Sequence, residues 1–171
     1  MGNRNKIILI GFMGTGKSSV ASGLARELGI THVDMDAEIV KVAGKSIPDI
    51  FAEQGEAAFR ELESNVLESL LQNDESIVIA TGGGAVLKQS NCQLMLEHGF
   101  VVALTASEQV IVSRVQQDQG RPLLQGDVAE RVRTLMQTRA KAYDFAHMSI
   151  DTSALSVNQI VSEISNAWRN Q

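Results

Sequence analysis

Gly11-Phe12-Met13-Gly14-Thr15-Gly16-Lys17-Ser18 fits the pattern G-x-x-x-x-G-K-[ST], and every residue type in it has a reason to be there if the segment holds phosphate. Glycines let successive backbone N–H groups curl around phosphate oxygens with no Cβ in the way, and the amino end of a following helix adds partial positive charge. Lys17 then reaches the terminal phosphates, and the Ser18 hydroxyl ligates Mg²⁺. The motif follows an apolar run and opens a stretch of helical periodicity, the setting that separates it from an incidental glycine-rich turn. A phosphate loop alone names neither nucleotide nor acceptor. The Asn-Lys-x-Asp signature that reads guanine does not occur in the chain, which favours ATP over GTP.

Asp34-Met35-Asp36 directly follows a second apolar run. Residues two apart in an extended segment point the same way, so both carboxylates are expected on the phosphate-loop side of a sheet. The alternative is an acidic turn in which Asp36 caps a helix over 37–42. Arg60 and Glu63 stand one helical turn apart and, taken alone, read as a surface ion pair. Thr81-Gly82-Gly83-Gly84 follows a third apolar run. Three consecutive glycines cost conformational entropy unless something must approach the backbone closely, so this segment is either a plain turn or a backbone donor site for a ligand.

These groups need a scaffold, and the hydrophobic pattern supplies one. Short β-rich runs at 6–10, 31–33, 77–80, 101–105 and 148–150 alternate with helical periodicity, which predicts a five-stranded parallel sheet covered by helices on both faces, a three-layer α/β/α domain. Val20, Leu24 and Leu28 mark the first helix. Val157, Ile160, Val161, Ile164 and Trp168 mark the last, with Ser156 as its N-cap. Helical pieces at 37–42, 47–54 and 56–72 form an insertion longer than a crossover requires, read as a substrate-binding subdomain over about 35–72. Residues 116–126, with Gly120, Pro122 and Gly126, read as a mobile lid. No repeat or linker divides the chain, so residues 1–171 are expected to be one domain.

Composition narrows the classes further. Hydrophobic residues make up 44% and charged residues 20%, the profile of a compact soluble protein. A net charge of −5 with no Lys/Arg-rich run argues against a nucleic-acid partner. The one cysteine, Cys92, cannot form an internal disulfide and reads as a buried or half-buried thiol in a reducing compartment. The apolar run after Met1 is too short for a signal peptide or membrane span. Gly2 suits a myristoylation start, but Lys6 stands where Ser or Thr is wanted; the cytoplasm is expected.

In order from Ile7 to about Asp151, several segments together resemble shikimate kinase. They are the phosphate loop, the Asp-x-Asp, Ile50-Phe51 with Gly55-Glu56, Phe59-Arg60 and Glu63, the triple glycine, Arg121-Pro122-Leu123-Leu124, and Arg139 with Tyr143. The resemblance implies a monomeric kinase of the nucleoside-monophosphate-kinase-like fold that transfers the γ-phosphoryl of MgATP to a shikimate hydroxyl, with both substrates small molecules. It implies that Arg60 and Arg139 grip the substrate carboxylate, and that Asp36 accepts a hydrogen bond from the attacking hydroxyl as base or orienter. Gly82, Gly83 and Gly84 would line the substrate site, with the Gly83 N–H holding the substrate, and Glu63 would hold the Arg60 head.

On the nucleotide side the resemblance implies contacts from Gly14, Thr15, Gly16, Lys17, Ser18 and Ser19, with Arg114 against adenine. Arg121 would swing in from the lid over the phosphates. Ser18 and, through water, Asp34 would hold Mg²⁺. Phe51 and Phe59 would wall the ring of the substrate or, as aromatics on amphipathic helices, simply build core. His32, His98 and His147 match no catalytic position. Residues 152–157 read Thr152-Ser153-Ala154-Leu155-Ser156-Val157 where relatives often offer Arg or Pro to the adenine edge. Two other readings are a kinase of another polyol acid such as gluconate and a non-catalytic nucleotide-binding relative.

Overall fold

The computed structural model describes residues 4–117 and 126–171. Strand β1 (Lys6–Gly11) leads through the glycine loop into helix α1 (Lys17–Leu28). There follow β2 (Thr31–Asp34), α2 (Met35–Ala43), α3 (Ile47–Gln72), β3 (Ile77–Ala80), a turn of 3-10 helix (Ala85–Leu87) and α4 (Gln89–His98). The chain continues with β4 (Gly99–Thr105), α5 (Glu108–Val115), α6 (Val128–Thr138), β5 (Met148–Asp151) and α7 (Val157–Arg169). The five strands pair in parallel in the order β2-β3-β1-β4-β5.

Alternation along the strands makes the two helical layers. Ile7 and Leu9 of β1, Val78 and Ala80 of β3, and Val102 and Leu104 of β4 pack with Val20 and Leu24 of α1 and Ile160 and Ile164 of α7. Their neighbours Ile8, Ile10, Ile77, Ile79, Val101 and Ala103 point the other way, onto Leu67 and Leu71 of α3 and Met95 of α4. A sheet buried on both faces explains why these strands are continuously apolar through their middles, at 7–10, 77–80 and 100–104. Ser156 caps α7 as expected, accepting from the Gln159 amide while the Gln159 side chain accepts from the Ser156 amide.

The insertion follows the expected pattern with two adjustments. The pieces expected at 47–54 and 56–72 form α3, broken at Gly55, whose φ of 83° belongs to glycine. Helix α2 starts earlier than expected, at Met35, and its N-cap is Asp34 rather than Asp36; the Asp34 carboxylate accepts from the amides of Asp36 and Ala37. Asp36 therefore lies in the first helical turn, not in an extended segment, and the argument that both carboxylates point the same way does not hold. Among the described residues no helix is long and apolar enough to cross a membrane.

Because all strands are parallel, their carboxyl ends share one edge. The phosphate loop leaves β1 there, Asp34 ends β2, the triple glycine leaves β3 and Thr152 leaves β5. The chain order reverses about β1, which has β3 on one side and β4 on the other. Open α/β sheets bind ligands at such a point.

Candidate active site

The phosphate loop turns on Gly14 and Gly16, with φ of 75° and 96°. Gly16 is the N-cap of α1 and offers no side-chain cap, and the first turn carries no acidic residue, so the leading amides of α1 remain for an anion. Lys17 Nζ reaches back across the loop, donating to the carbonyls of Gly11 at 2.7 Å and Phe12 at 2.9 Å. The Thr15 hydroxyl donates to Phe12 O at 2.8 Å and is buried.

Beside the loop, the Ser18 hydroxyl donates to the Asp34 carboxylate, joining the first turn of α1 to the end of β2. This pairs two hard oxygen donors. Among the described residues no cluster of three or more His, Cys, Asp or Glu could form an all-protein metal cage. One hydroxyl and one carboxylate next to a phosphate loop are what Mg²⁺ needs, since it keeps waters and takes phosphate oxygens for the remainder of its shell. The donor set fits the ion.

The triple glycine is where the site comes together, because each of its residues lies beside at least one candidate functional side chain. A Cβ on Gly82 would sit 2.7 Å from Glu63 Oε2 and 3.2 Å from Asp36 Oδ1. One on Gly83 would lie 3.2 Å from Met13 N in the phosphate loop and 3.7 Å from Arg139 Nη1, and one on Gly84 would overlap the Arg60 guanidinium. None of the three needs a left-handed backbone, so close approach and not φ is what requires glycine. Gly84→Ala is expected to displace the Arg60 head and raise KM for a carboxylate substrate about tenfold with KM for ATP within about twofold. Steady-state kinetics in both substrates checks the split.

Arg60 is half-buried. Its Nη1 donates to Glu63 Oε1 at 2.9 Å, its Cζ stands 5.2 Å from the Phe59 ring centroid, and Glu56 lies 3.5 Å from Nη2. Glu63 is 1% exposed, and burial pushes its carboxyl up from the ordinary 4.5, opposed chiefly by the Arg60 charge. Among the described residues, Arg60 Nε and Glu63 Oε2 have no hydrogen-bond partner. An acid whose pKa rises on folding binds more protons in the native state, so its contribution to stability is lost as pH climbs above 4.5 toward the folded value. Glu63→Gln should flatten that part of the profile. The difference in Tm between variant and wild type is then expected to grow in the variant's favour from about pH 5 to pH 7, as thermal melts would read.

Arg139 closes α6 and is 4% exposed, with Cζ 5.9 Å from the Phe12 ring centroid. Tyr143, to which the sequence assigns no role, donates to Gly83 O at 2.7 Å and also contacts Arg139. Burial raises its phenol pKa against the opposing Arg139 charge. Its only signal in the sequence was its spacing from Arg139. Phe59 is buried and Phe51 half-buried, their centroids 4.8 Å apart in the cluster that joins α2 to α3, so both build core while Phe59 backs Arg60. A groove of about 730 Å³ runs past Arg60, Glu63 and Gly84 toward Lys88 and Asn91.

Arg114 donates to Gly14 O at 2.8 Å, placing it against the nucleotide loop. Arg121 and most of the stretch expected as a lid lie outside the described residues. The histidines and cysteine have structural roles or surface positions. His147 Nδ1 accepts from Val101 N at 3.0 Å and burial lowers its pKa. The half-buried Cys92 thiol donates to Val86 O, with its pKa raised by burial.

A doubly wound parallel sheet, a phosphate loop at the switch strand, and a carboxylate with two guanidinium groups around a glycine turn define a small-molecule kinase. The family model described as shikimate kinase matches residues 13–169, and the chain belongs to the shikimate kinase family, phosphotransferases that phosphorylate shikimate with ATP. It is 48% identical to a shikimate kinase of Geobacter sulfurreducens over 95% of this chain and 90% of that one. A second relative, from Pelotomaculum thermopropionicum, is 45% identical over 92% of each chain. Among solved structures, a shikimate kinase from Acinetobacter baumannii in complex with shikimate superposes with a TM-score of 0.93 at 34% identity, covering 98% of this chain and 94% of that one.

Proposed function

We propose that this chain transfers the γ-phosphoryl of ATP to a hydroxyl of shikimate at the edge where the phosphate loop meets the triple glycine. The observation that carries the reading is the placing of Asp36, Arg139 and Arg60 beside Gly82, Gly83 and Gly84 in turn, with the phosphate loop also beside Gly83. A ring acid with hydroxyls needs this combination: guanidinium groups for its carboxylate, and an acceptor for the hydroxyl that attacks.

In this reading Arg60 and Arg139 hold the substrate carboxylate, the Gly83 N–H holds a ring hydroxyl, and Gly82 and Gly84 leave room for the side chains that do so. Asp36 orients the attacking hydroxyl and takes its proton. The amides of Gly14, Thr15 and Gly16, with Ser19 in the first turn of α1, bind the nucleotide phosphates, and Arg114 lies against the base. Lys17 turns from the Gly11 and Phe12 carbonyls to the terminal phosphates and holds charge on the transferring group. Ser18 and Asp34 would hold Mg²⁺, directly and through water, and the ion would neutralise charge shared by the β- and γ-phosphates. Arg121 completes the electrostatic clamp from the 116–126 stretch.

The test is ADP release by the purified chain with MgATP, with and without shikimate, beside gluconate, quinate and nucleoside monophosphates. Release that depends on shikimate is expected. Turnover on another acceptor with none on shikimate would keep the phosphate-loop chemistry and reject this acceptor pocket.

A further inference from the structure

At the end of β5, Thr152 is 2% exposed and sits against the phosphate loop, more than a hundred residues away in the chain. Its backbone N–H donates to Thr105 O at 2.8 Å, continuing the ladder between β4 and β5. Its Oγ1 lies 3.0 Å from that same carbonyl and 2.9 Å from Thr15 O in the phosphate loop. Arg114 Nη1 donates to Oγ1 at 3.4 Å and to Gly14 O at 2.8 Å, while Nη2 donates to Thr152 O at 3.3 Å. The hydroxyl proton is within reach of both carbonyls; the amide already supplies Thr105 O with one donor, while Thr15 O is the nearer acceptor at 2.9 Å and the one in the phosphate loop.

Two successive carbonyls of the phosphate loop, those of Gly14 and Thr15, are thus held by donors from outside it. In a planar trans peptide the N–H points opposite to the C=O. Fixing Gly14 O outward aims the Thr15 N–H into the loop, and fixing Thr15 O outward aims the Gly16 N–H the same way. Loops of this kind bind phosphate with such amides, and a pre-set amide need not be reoriented when the ligand arrives.

We infer that Thr152 is a positioning residue for the nucleotide: its hydroxyl, acting through Thr15 O, holds the Gly16 amide in its phosphate-binding orientation and so sets affinity for ATP and ADP, without touching either. The segment after β5 thereby serves the phosphates, whatever it does for the base. This rests on the phosphate-loop reading above.

The experiment compares wild type with Thr152→Val, Thr152→Ser and Thr152→Cys, measuring MgADP binding by calorimetry and KM for ATP and shikimate separately. Thr152→Val, which keeps the shape and removes the donor, is expected to weaken MgADP binding and raise KM for ATP about tenfold, with KM for shikimate within about twofold. Thr152→Ser should restore both nucleotide values, and Thr152→Cys, a weaker donor, should fall between; the cysteine and serine variants decide the matter if valine does not fold. A folded Thr152→Val with wild-type nucleotide affinity would overturn the inference. So would a serine variant as impaired as valine, or losses equal in both substrates, since those point to packing alone. Wild-type chain that bound no MgADP would overturn the phosphate-loop reading and this inference with it.

Discussion

Asp36→Asn is expected to lower kcat by on the order of 10²–10⁴-fold while leaving KM for both substrates within a few-fold. The amide matches the carboxylate in shape, so its place beside Gly82 in the first turn of α2 is retained. In the proposed role, what would be lost is the negative charge that accepts the hydroxyl proton as the bond to phosphorus forms, a charge that counts in the transition state more than in the ground state. Measuring kcat and KM at saturating MgATP checks this. Full turnover in the variant would remove the base or orienter role from Asp36 and leave positioning by the loop and the arginines to account for the rate.

The second large effect is on binding. Arg60→Ala should raise KM for shikimate by about a hundredfold or more, since a two-pronged guanidinium–carboxylate contact in a partly buried site is worth several kcal/mol. A stability cost accompanies it, because Glu63 at 1% exposure loses the cation that faces it at 2.9 Å. Stranding one member of a buried pair costs about 3 kcal/mol. The double substitution Arg60→Ala with Glu63→Gln separates the two effects: Tm should recover a large part of its loss while KM stays high. Recovery of both together would mean that Arg60 acts on the fold and not on the carboxylate.

How much of this was legible beforehand depended on the range of the interaction. The strands, their order along the chain and the helices between them followed from apolar periodicity, because burial on a two-sided sheet makes the central strands β3, β1 and β4 apolar while the edge strands keep shorter apolar runs. The phosphate loop was legible since glycine, lysine and serine there act within a few residues of one another. Ser156 and the break at Gly55 were local for the same reason. Local reasoning failed at Asp34 and Asp36. Both an extended pair and a helix start suit an acidic dipeptide spacing, and the competition was settled by Asp34 accepting two helix amides, which drew Met35 and Asp36 into α2.

The amino-acid order by itself determined the architecture, the nucleotide loop and the set of residues able to recognise an acid, while only the tertiary structure decided which of them meet. Read alone, Arg60 and Glu63 were one helical turn of surface charge; in the fold a half-buried Arg60 and a buried Glu63 pair beside Gly84 and Gly82. Arg139 and Tyr143 reach Gly83 from beyond β4, and Thr152 reaches Thr15 from beyond β5. No periodicity marks such contacts, since a threonine after a strand or an arginine at a helix end is ordinary in composition and in spacing. They arise because parallel pairing in the order β2-β3-β1-β4-β5 brings the carboxyl ends of distant strands to one edge, where glycines without side chains let the charged groups of other elements close on the backbone.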